Sequence, residues 1–443
     1  MGRAKEKFNL TIKDLPYFRT LHSMAFRMLG LRKEQVLGRR TMTEFSNLLG
    51  LRLTGGVDAN EGRAYGSTSG DHALFIASMA RMRCVPLEEQ WQEMNEDLSW
   101  FEVERVDRGL REFKAKRGLK DFTDMLVDFV EHGLKIELDL LVVDEAQDLS
   151  QAQWRMVIAL AAHAKRTIIA GDDDQAIFRW AGADVEYFIN LSGKTTVLDK
   201  SYRIPRLIQQ TAAHIIEGVT VRRAKEWEPR DDEGTITYHT STDTVDMSGG
   251  SWLVLARNEY LLDYVEDQCR REGHVYERRG RKSVTEKDLA TIRAWESLRK
   301  GGEATATDTR NILRYIIHDG PDLPKSGRFT LRDLQQNWGV STDDIWHEAF
   351  DKMSLVERSY LLSSLRHGEK IHQTPRIRLS TIHSAKGGEA DNVILYTDMA
   401  ARTYKGMMKY PEDEMRVFYV GATRAKEALH IIAPHSKYYF TSL

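Results

Sequence analysis

The 443-residue chain carries 41% hydrophobic and 29% charged residues and a formal net charge of −2, a globular composition too long for one core, since single cores stop growing near about 250–300 residues. No apolar run approaches the roughly 20 residues a membrane helix needs, and the start MGRAKEKFNL offers no secretory signal. Two cysteines, Cys84 and Cys269, exclude a disulfide framework and a four-cysteine zinc site, so a reduced, cytoplasmic setting is expected. With so little net charge, any contact to nucleic acid must rest on a local basic stripe.

Along the chain, residues 32–118 are rich in charge and Trp at helical spacing and predict a helical insert. Short Val-, Ile- and Leu-rich runs at 138–143 and 166–170 predict buried parallel strands, with a helix over 151–162 between them. A helix over 204–217, a strand at 252–256, a second helical insert at 277–374 and strands at 393–396 and 429–433 follow. Strands alternating with helices predict α/β layers. Two α/β domains are expected, one from 1–31 and 119–198, the other from 199–276 and 375–443.

The first strand, Leu141-Val142-Val143, ends in Asp144-Glu145-Ala146-Gln147-Asp148. In a nucleotide hydrolase the first of two such carboxylates holds Mg²⁺ and the second orients the attacking water, whereas in a purely structural setting they would cap the next helix. The second strand ends in Gly171-Asp172-Asp173-Asp174-Gln175-Ala176-Ile177-Phe178-Arg179-Trp180-Ala181-Gly182. Both polar clusters therefore fall at the carboxyl edge of one sheet, where open α/β sheets bind ligands. Gln175 is suited to sensing a γ-phosphate or its attacking water. Phe178 and Trp180, on an outward-facing loop, are suited to stacking on single-stranded bases, though the same rings could serve a core.

These runs resemble motifs II and III of the UvrD/Rep branch of superfamily 1 helicases, and further runs resemble the family's other motifs in order. Phe18-Arg19-Thr20-Leu21-His22-Ser23 is similar to the early motif whose Thr and His hold the DNA backbone, and Asp121-Phe122-Thr123-Asp124 to the aspartate-rich stretch before motif II. Ser201-Tyr202-Arg203 resembles motif IV, whose arginine reaches the γ-phosphate. Thr381-Ile382-His383-Ser384-Ala385-Lys386-Gly387-Gly388-Glu389 resembles motif V, implying DNA contacts for Thr381 and His383 and ATP contacts for Gly387, Gly388 and Glu389. Tyr419-Val420-Gly421-Ala422-Thr423-Arg424 resembles motif VI, implying an arginine finger at Arg424.

The resemblance implies two RecA-like P-loop-type domains, each with a mainly helical insert, with the nucleotide in the cleft between them. It also implies Asp144, Glu145, Gln175, Arg203 and Arg424 as catalytic residues, with Asp144 on Mg²⁺. The implied substrates are ATP and single-stranded DNA or single/double-strand junctions, with 3′ to 5′ movement. Two departures stand out: Gly388 occupies a place where the family has a large apolar residue, and the second insert is short. A motor of this type also needs a Gly-x-x-x-x-Gly-Lys-Thr/Ser loop. The nearest run, Ser192-Gly193-Lys194-Thr195, has Phe188 at the first glycine position and follows motif III. Residues 3–8 resemble the tail of the helix after motif Ia, so the loop is expected on a preceding or separately encoded segment. The alternative reading is a non-hydrolysing relative that binds single strands or assembles with a partner.

Overall fold

A computed structural model describes residues 17–54, 68–94, 98–369 and 373–443; the segment 3–8 lies outside them. The chain is mixed α/β and divides into two compact units. One comprises residues up to 199 with 214–227 and 406–420, and the other comprises 200–213, 228–405 and 421–443.

In the first unit, α1 (Leu21–Met28) is started by Thr20, whose hydroxyl accepts the Ser23 amide at 3.2 Å. The insert is built from α2 (Arg39–Leu49), α3 (Ser69–Arg83), α4 (Leu87–Met94) and α5 (Trp100–Arg117). Thr68 with Asp71 and Ser99 with Glu102 close reciprocal caps that satisfy the first free amides of α3 and α5. Asp121 caps α6 (Phe122–Glu131), whose Met125, Leu126 and Phe129 share a core with Met24 and Ala25 of α1. The half-buried Asp121 carboxylate also pairs with Lys114 of α5 at 2.5 Å and with Arg81 of α3 at 2.6 Å, tying the insert to α6.

Strands β1 (Leu141–Val143) and β2 (Thr167–Ile169) pair in parallel with Val142 opposite Ile168, and α7 (Gln151–Ala161) connects them. Trp154 and Val157 of α7 pack with Val143, Leu141 and Ile169 on one face. The opposite face corrects the expectation of buried strands: Leu140, Val142 and Ile168 are 48%, 57% and 39% exposed. Alternate residues of a strand face opposite sides, and no described element covers this one. A short helix, α8 (Val185–Ile189), follows the second polar cluster.

The second unit begins with part of α9 (Arg206–Glu217) and is organised around a sheet of seven strands among the described residues. They are β3 (Thr235–His239), β4 (Trp252–Ala256), β5 (Tyr276–Arg278), β6 (Arg281–Lys282), β9 (Ile377–Thr381), β10 (Ala390–Tyr396) and β11 (Ala425–Ile432). Their order is β3-β11-β10-β4-β9-β5-β6, parallel throughout except for the terminal β5–β6 hairpin. β4, flanked by β10 and β9, is wholly buried, as its unbroken Trp-Leu-Val-Leu-Ala run requires. The second insert is less purely helical than its composition predicts, because β7 (Glu303–Thr305) and β8 (Arg328–Thr330) form an antiparallel hairpin. Its Trp295, Trp338, Trp346 and Phe350 belong to the same buried core as Trp252, Val254 and Ile394 of the sheet.

Candidate functional site

Asp144 and Glu145 stand exposed at the end of β1. Glu145 has φ of +54°, a left-handed conformation that a β-carbon disfavours and that proteins tend to keep where side-chain placement matters. The Glu145 amide donates to Asp144 Oδ1 at 3.0 Å, and the Glu145 carboxylate accepts from Gln147 Nε2 at 2.7 Å. The other end of the buried Gln147 amide accepts the Asp172 backbone N–H at 3.1 Å, so this one side chain links the two strand ends. A Cβ at Gly171 would collide with that Gln147 oxygen and approach the Phe188 ring to 2.9 Å, so glycine is what permits the link.

Beyond Gly171, Asp172, Asp173 and Asp174 meet a basic segment from residues 222–225. Lys225 Nζ lies 2.8, 2.6 and 3.0 Å from the three carboxylates in turn. Arg222 chelates Asp174 with two bonds of 2.8 Å, and Asp173 accepts the Arg223 amide at 2.7 Å. Arg416, fully buried, donates to the Asp173 carbonyl at 3.1 Å and to the Val221 carbonyl at 2.5 Å. Burial pushes the Asp172 carboxyl upward, but Lys225 outweighs it and holds the group below its ordinary pKa. For Lys225, burial opposes the charge while the three aspartates raise the pKa above the usual ammonium value, so Lys225 and Asp172 meet as an ion pair.

Gln175 Nε2 donates to Asp172 Oδ2 at 2.6 Å. Phe178 and Trp180 follow, half-buried, with ring centroids 6.1 Å apart and planes inclined by 55°. Arg179 between them pairs with Asp413 at 3.0 Å. The rings are less open than the outward loop expected from the sequence. In α1, His22 lies edge-on to Phe122 at 5.5 Å, and burial holds its imidazole below the ordinary histidine pKa.

In the second unit, β9 ends at Thr381, whose hydroxyl accepts the Ser384 amide at 3.3 Å. Thr381 and His383 are both buried. Gly387 has φ of +75°, so glycine suits the turn. Gly388 is tight for a different reason: a Cβ there would strike the Arg378 guanidinium and come within 2.9 Å of the Ala385 carbonyl. The arginine of β9 fills the space an apolar side chain would take. Glu389 lies 3.6 Å from Arg203 and 3.3 Å from Lys426. Arg203 Nε is buried with no hydrogen-bond partner among the described residues. Arg424 is buried and donates to the Gly388 carbonyl at 3.4 Å and to Thr423 at 3.2 Å.

Thus Asp144, Glu145 and Gln175 share one bonded network in the first unit, and Arg203, Gly388, Glu389 and Arg424 lie together in the second. Thr20 and His22 lie on α1, apart from the bonds of either group. Sequence reading did not find Gln147, Asp172, Arg222, Lys225 or Arg416 as parts of this arrangement. Three consecutive aspartates were a signal that buried cations must lie nearby, but nothing in the chain order points to residues some fifty positions later.

Residues 3–196 match the model of the UvrD/REP helicase N-terminal domain, and residues 335–436 match that of the UvrD-like helicase C-terminal domain. Proteins named ATP-dependent DNA helicase PcrA are similar in part. That of Bacillus subtilis is 32% identical over 103 residues, 22% of this chain and 14% of the relative. That of Staphylococcus epidermidis is 25% identical over 167 residues, 34% of this chain and 23% of the relative. That of Staphylococcus aureus is 33% identical over 88 residues, 19% of this chain and 12% of the relative. The aligned stretches span less than a quarter of these relatives' length.

Proposed function

Because the chain belongs to the UvrD/Rep family of helicases, we propose that it acts in an ATP-driven motor that translocates 3′ to 5′ along single-stranded DNA and opens duplex at junctions. The observation that supports this reading most is the bonded path Glu145–Gln147–Asp172–Gln175, which joins a water-orienting carboxylate to the loop that carries Phe178 and Trp180. Such a path gives the state of the nucleotide a physical route to residues suited to stacking on bases.

The residues fit ATP and Mg²⁺. The exposed Asp144 carboxylate suits a cation that keeps several waters and shares one or two carboxylates with nucleotide phosphates. Bound there, the ion would neutralise charge on the phosphates. Glu145 then orients water, Gln175 senses the terminal phosphate, and Arg203, whose Nε has no hydrogen-bond partner among the described residues, is suited to donating to an anion. Arg424, Gly387, Gly388 and Glu389 act on the nucleotide. Thr20, His22, Thr381 and His383 hold the DNA backbone. No run within these 443 residues has the Gly-x-x-x-x-Gly-Lys-Thr/Ser spacing that cradles phosphates, so assays of hydrolysis supply a segment that carries one.

A strand-displacement assay with ATP tests the reading. Displacement on 3′-tailed but not 5′-tailed duplex is expected when the chain is supplied with such a segment. The opposite tail preference overturns the direction. Tight single-strand binding with no nucleotide-dependent displacement reduces the chain to a passive binder.

A further inference from the structure

We propose that Lys225 is a positioning residue for Gln175, acting through Asp172 to fix which end of the Gln175 carboxamide is presented for chemistry. The proposal rests on the reading of Gln175 as the phosphate-sensing amide.

The three aspartates are not equivalent. Asp174 keeps a two-pronged bond to Arg222, and Asp173 keeps the Arg223 amide, whether or not Lys225 is present. Among the described residues, Asp172 has one cationic partner, Lys225 Nζ at 2.8 Å to Oδ1. Its other oxygen, Oδ2, accepts Gln175 Nε2 at 2.6 Å. A carboxylate can only accept, so this bond requires the NH₂ end of Gln175 to face Asp172 and turns the carbonyl end away. The end of the amide turned away from Asp172 is therefore an acceptor. With the amide flipped, Gln175 would present donors instead.

Without Lys225, a half-buried Asp172 carboxylate would lose its countercharge and would take up a proton or rotate out. Either change removes a charged acceptor from Gln175, while Asp173 and Asp174 remain paired. The Asp172 backbone N–H also bonds Gln147, so Asp172 and Gln147 together tie the Gln175 amide to the Glu145 carboxylate. Lys225 lies outside all the sequence motifs singled out above.

The test labels glutamine side chains with ¹⁵N in the full chain and identifies the Gln175 carboxamide signal by its loss in Gln175→Ala. In Lys225→Met the two carboxamide protons should exchange with solvent about tenfold faster or more, as expected for a lost hydrogen bond to a charged acceptor. Lys225→Arg should retain protection. Arg222→Lys, which disturbs Asp174 but not Asp172, should leave the signal in place. An unchanged Gln175 signal in a folded Lys225→Met protein overturns the relay. So does equal loosening by Arg222→Lys, which would make the cluster a general structural tie.

Phosphate release on single-stranded DNA, with the chain supplied with a segment that carries a phosphate-cradling loop, reads the underlying assignment separately. Gln175→Ala and Lys225→Met should each lower kcat with little change in KM for ATP, and the double variant should be no slower than Gln175→Ala. Unchanged kcat in Gln175→Ala would remove the sensor reading, and with it the role of Lys225 in hydrolysis, whatever the carboxamide signal shows.

Discussion

At the scale of single residues, the site depends on side chains whose backbone or neighbours leave them little freedom. Glu145 sits at positive φ and is braced by Gln147. In the chain supplied with a phosphate-cradling loop, Glu145→Gln should abolish ATP turnover while leaving single-strand affinity within about twofold, because a water-orienting carboxylate acts only in the chemical step. Turnover within a factor of about ten of the parent in a phosphate-release assay would refute that role. Trp180 makes a different prediction. Stacking of a base on an aromatic is worth about 1–3 kcal/mol, so Trp180→Ala should weaken binding of an oligo-dT by about fivefold or more at matched salt. Equal affinity in an anisotropy titration would mean that the ring serves packing with Phe178 alone. Gly388→Leu restores the bulk that the family resemblance leads one to expect, but here it must displace Arg378. A loss of about 1–3 kcal/mol in the denaturation of the second unit is expected, and an unchanged midpoint would show that Arg378 moves freely.

At the scale of elements, capping and charge explain how the inserts hold to the sheets. Burial raises the Asp121 carboxyl, but Arg81 and Lys114 more than offset it and bring the group down to about 2. A folded-state value depressed in this way stabilises the protein above the unfolded pKa near about 4, and the contribution fades as pH falls from about 4 toward 2. The first unit should therefore lose on the order of 2 kcal/mol across that window. Asp121→Asn, which can still cap α6, should lose less, and matching acid titrations of the two proteins would count against the ion cluster.

Much of this layer was legible in advance. The β4 run appears with the ends the sequence predicts, and α7 comes within one residue, because unbroken apolar runs and Ser-x-x-Gln starts are local signals. Strand β9, Ile377–Thr381, was not legible, since Arg378 and Ser380 interrupt its apolar residues. β3 is an edge strand of mixed exposure and likewise lacks the run of a buried parallel strand. The β7–β8 hairpin hides in a charged stretch for the same reason. In the candidate site, Asp144, Glu145 and Gln175 stand out in the sequence because each closes or follows a strand. Gln147 and Lys225 could not, since their roles arise from tertiary contacts between distant segments.

At the scale of the whole molecule, the two units differ in how well their sheets are covered. Parallel strands normally have both faces packed, yet the β1–β2 ribbon has Val142 and Ile168 open to solvent, while β4 is buried between two neighbours. Amides of β1 and β2 should therefore exchange with deuterium at least about a hundredfold faster than those of β4 and β10, reflecting openings of lower free energy. Equal protection would show that the open face costs the first unit nothing.

The proposed function requires that Asp144, Glu145, Gln175, Arg203 and Arg424 serve one ATP-driven cycle on single-stranded DNA. The most direct measurement is phosphate release with and without oligo-dT, using this chain supplied with a segment carrying a Gly-x-x-x-x-Gly-Lys-Thr/Ser loop. The account predicts DNA-stimulated hydrolysis that vanishes in Glu145→Gln and in Arg424→Ala. Hydrolysis that survives both substitutions, or that DNA does not stimulate, would contradict it.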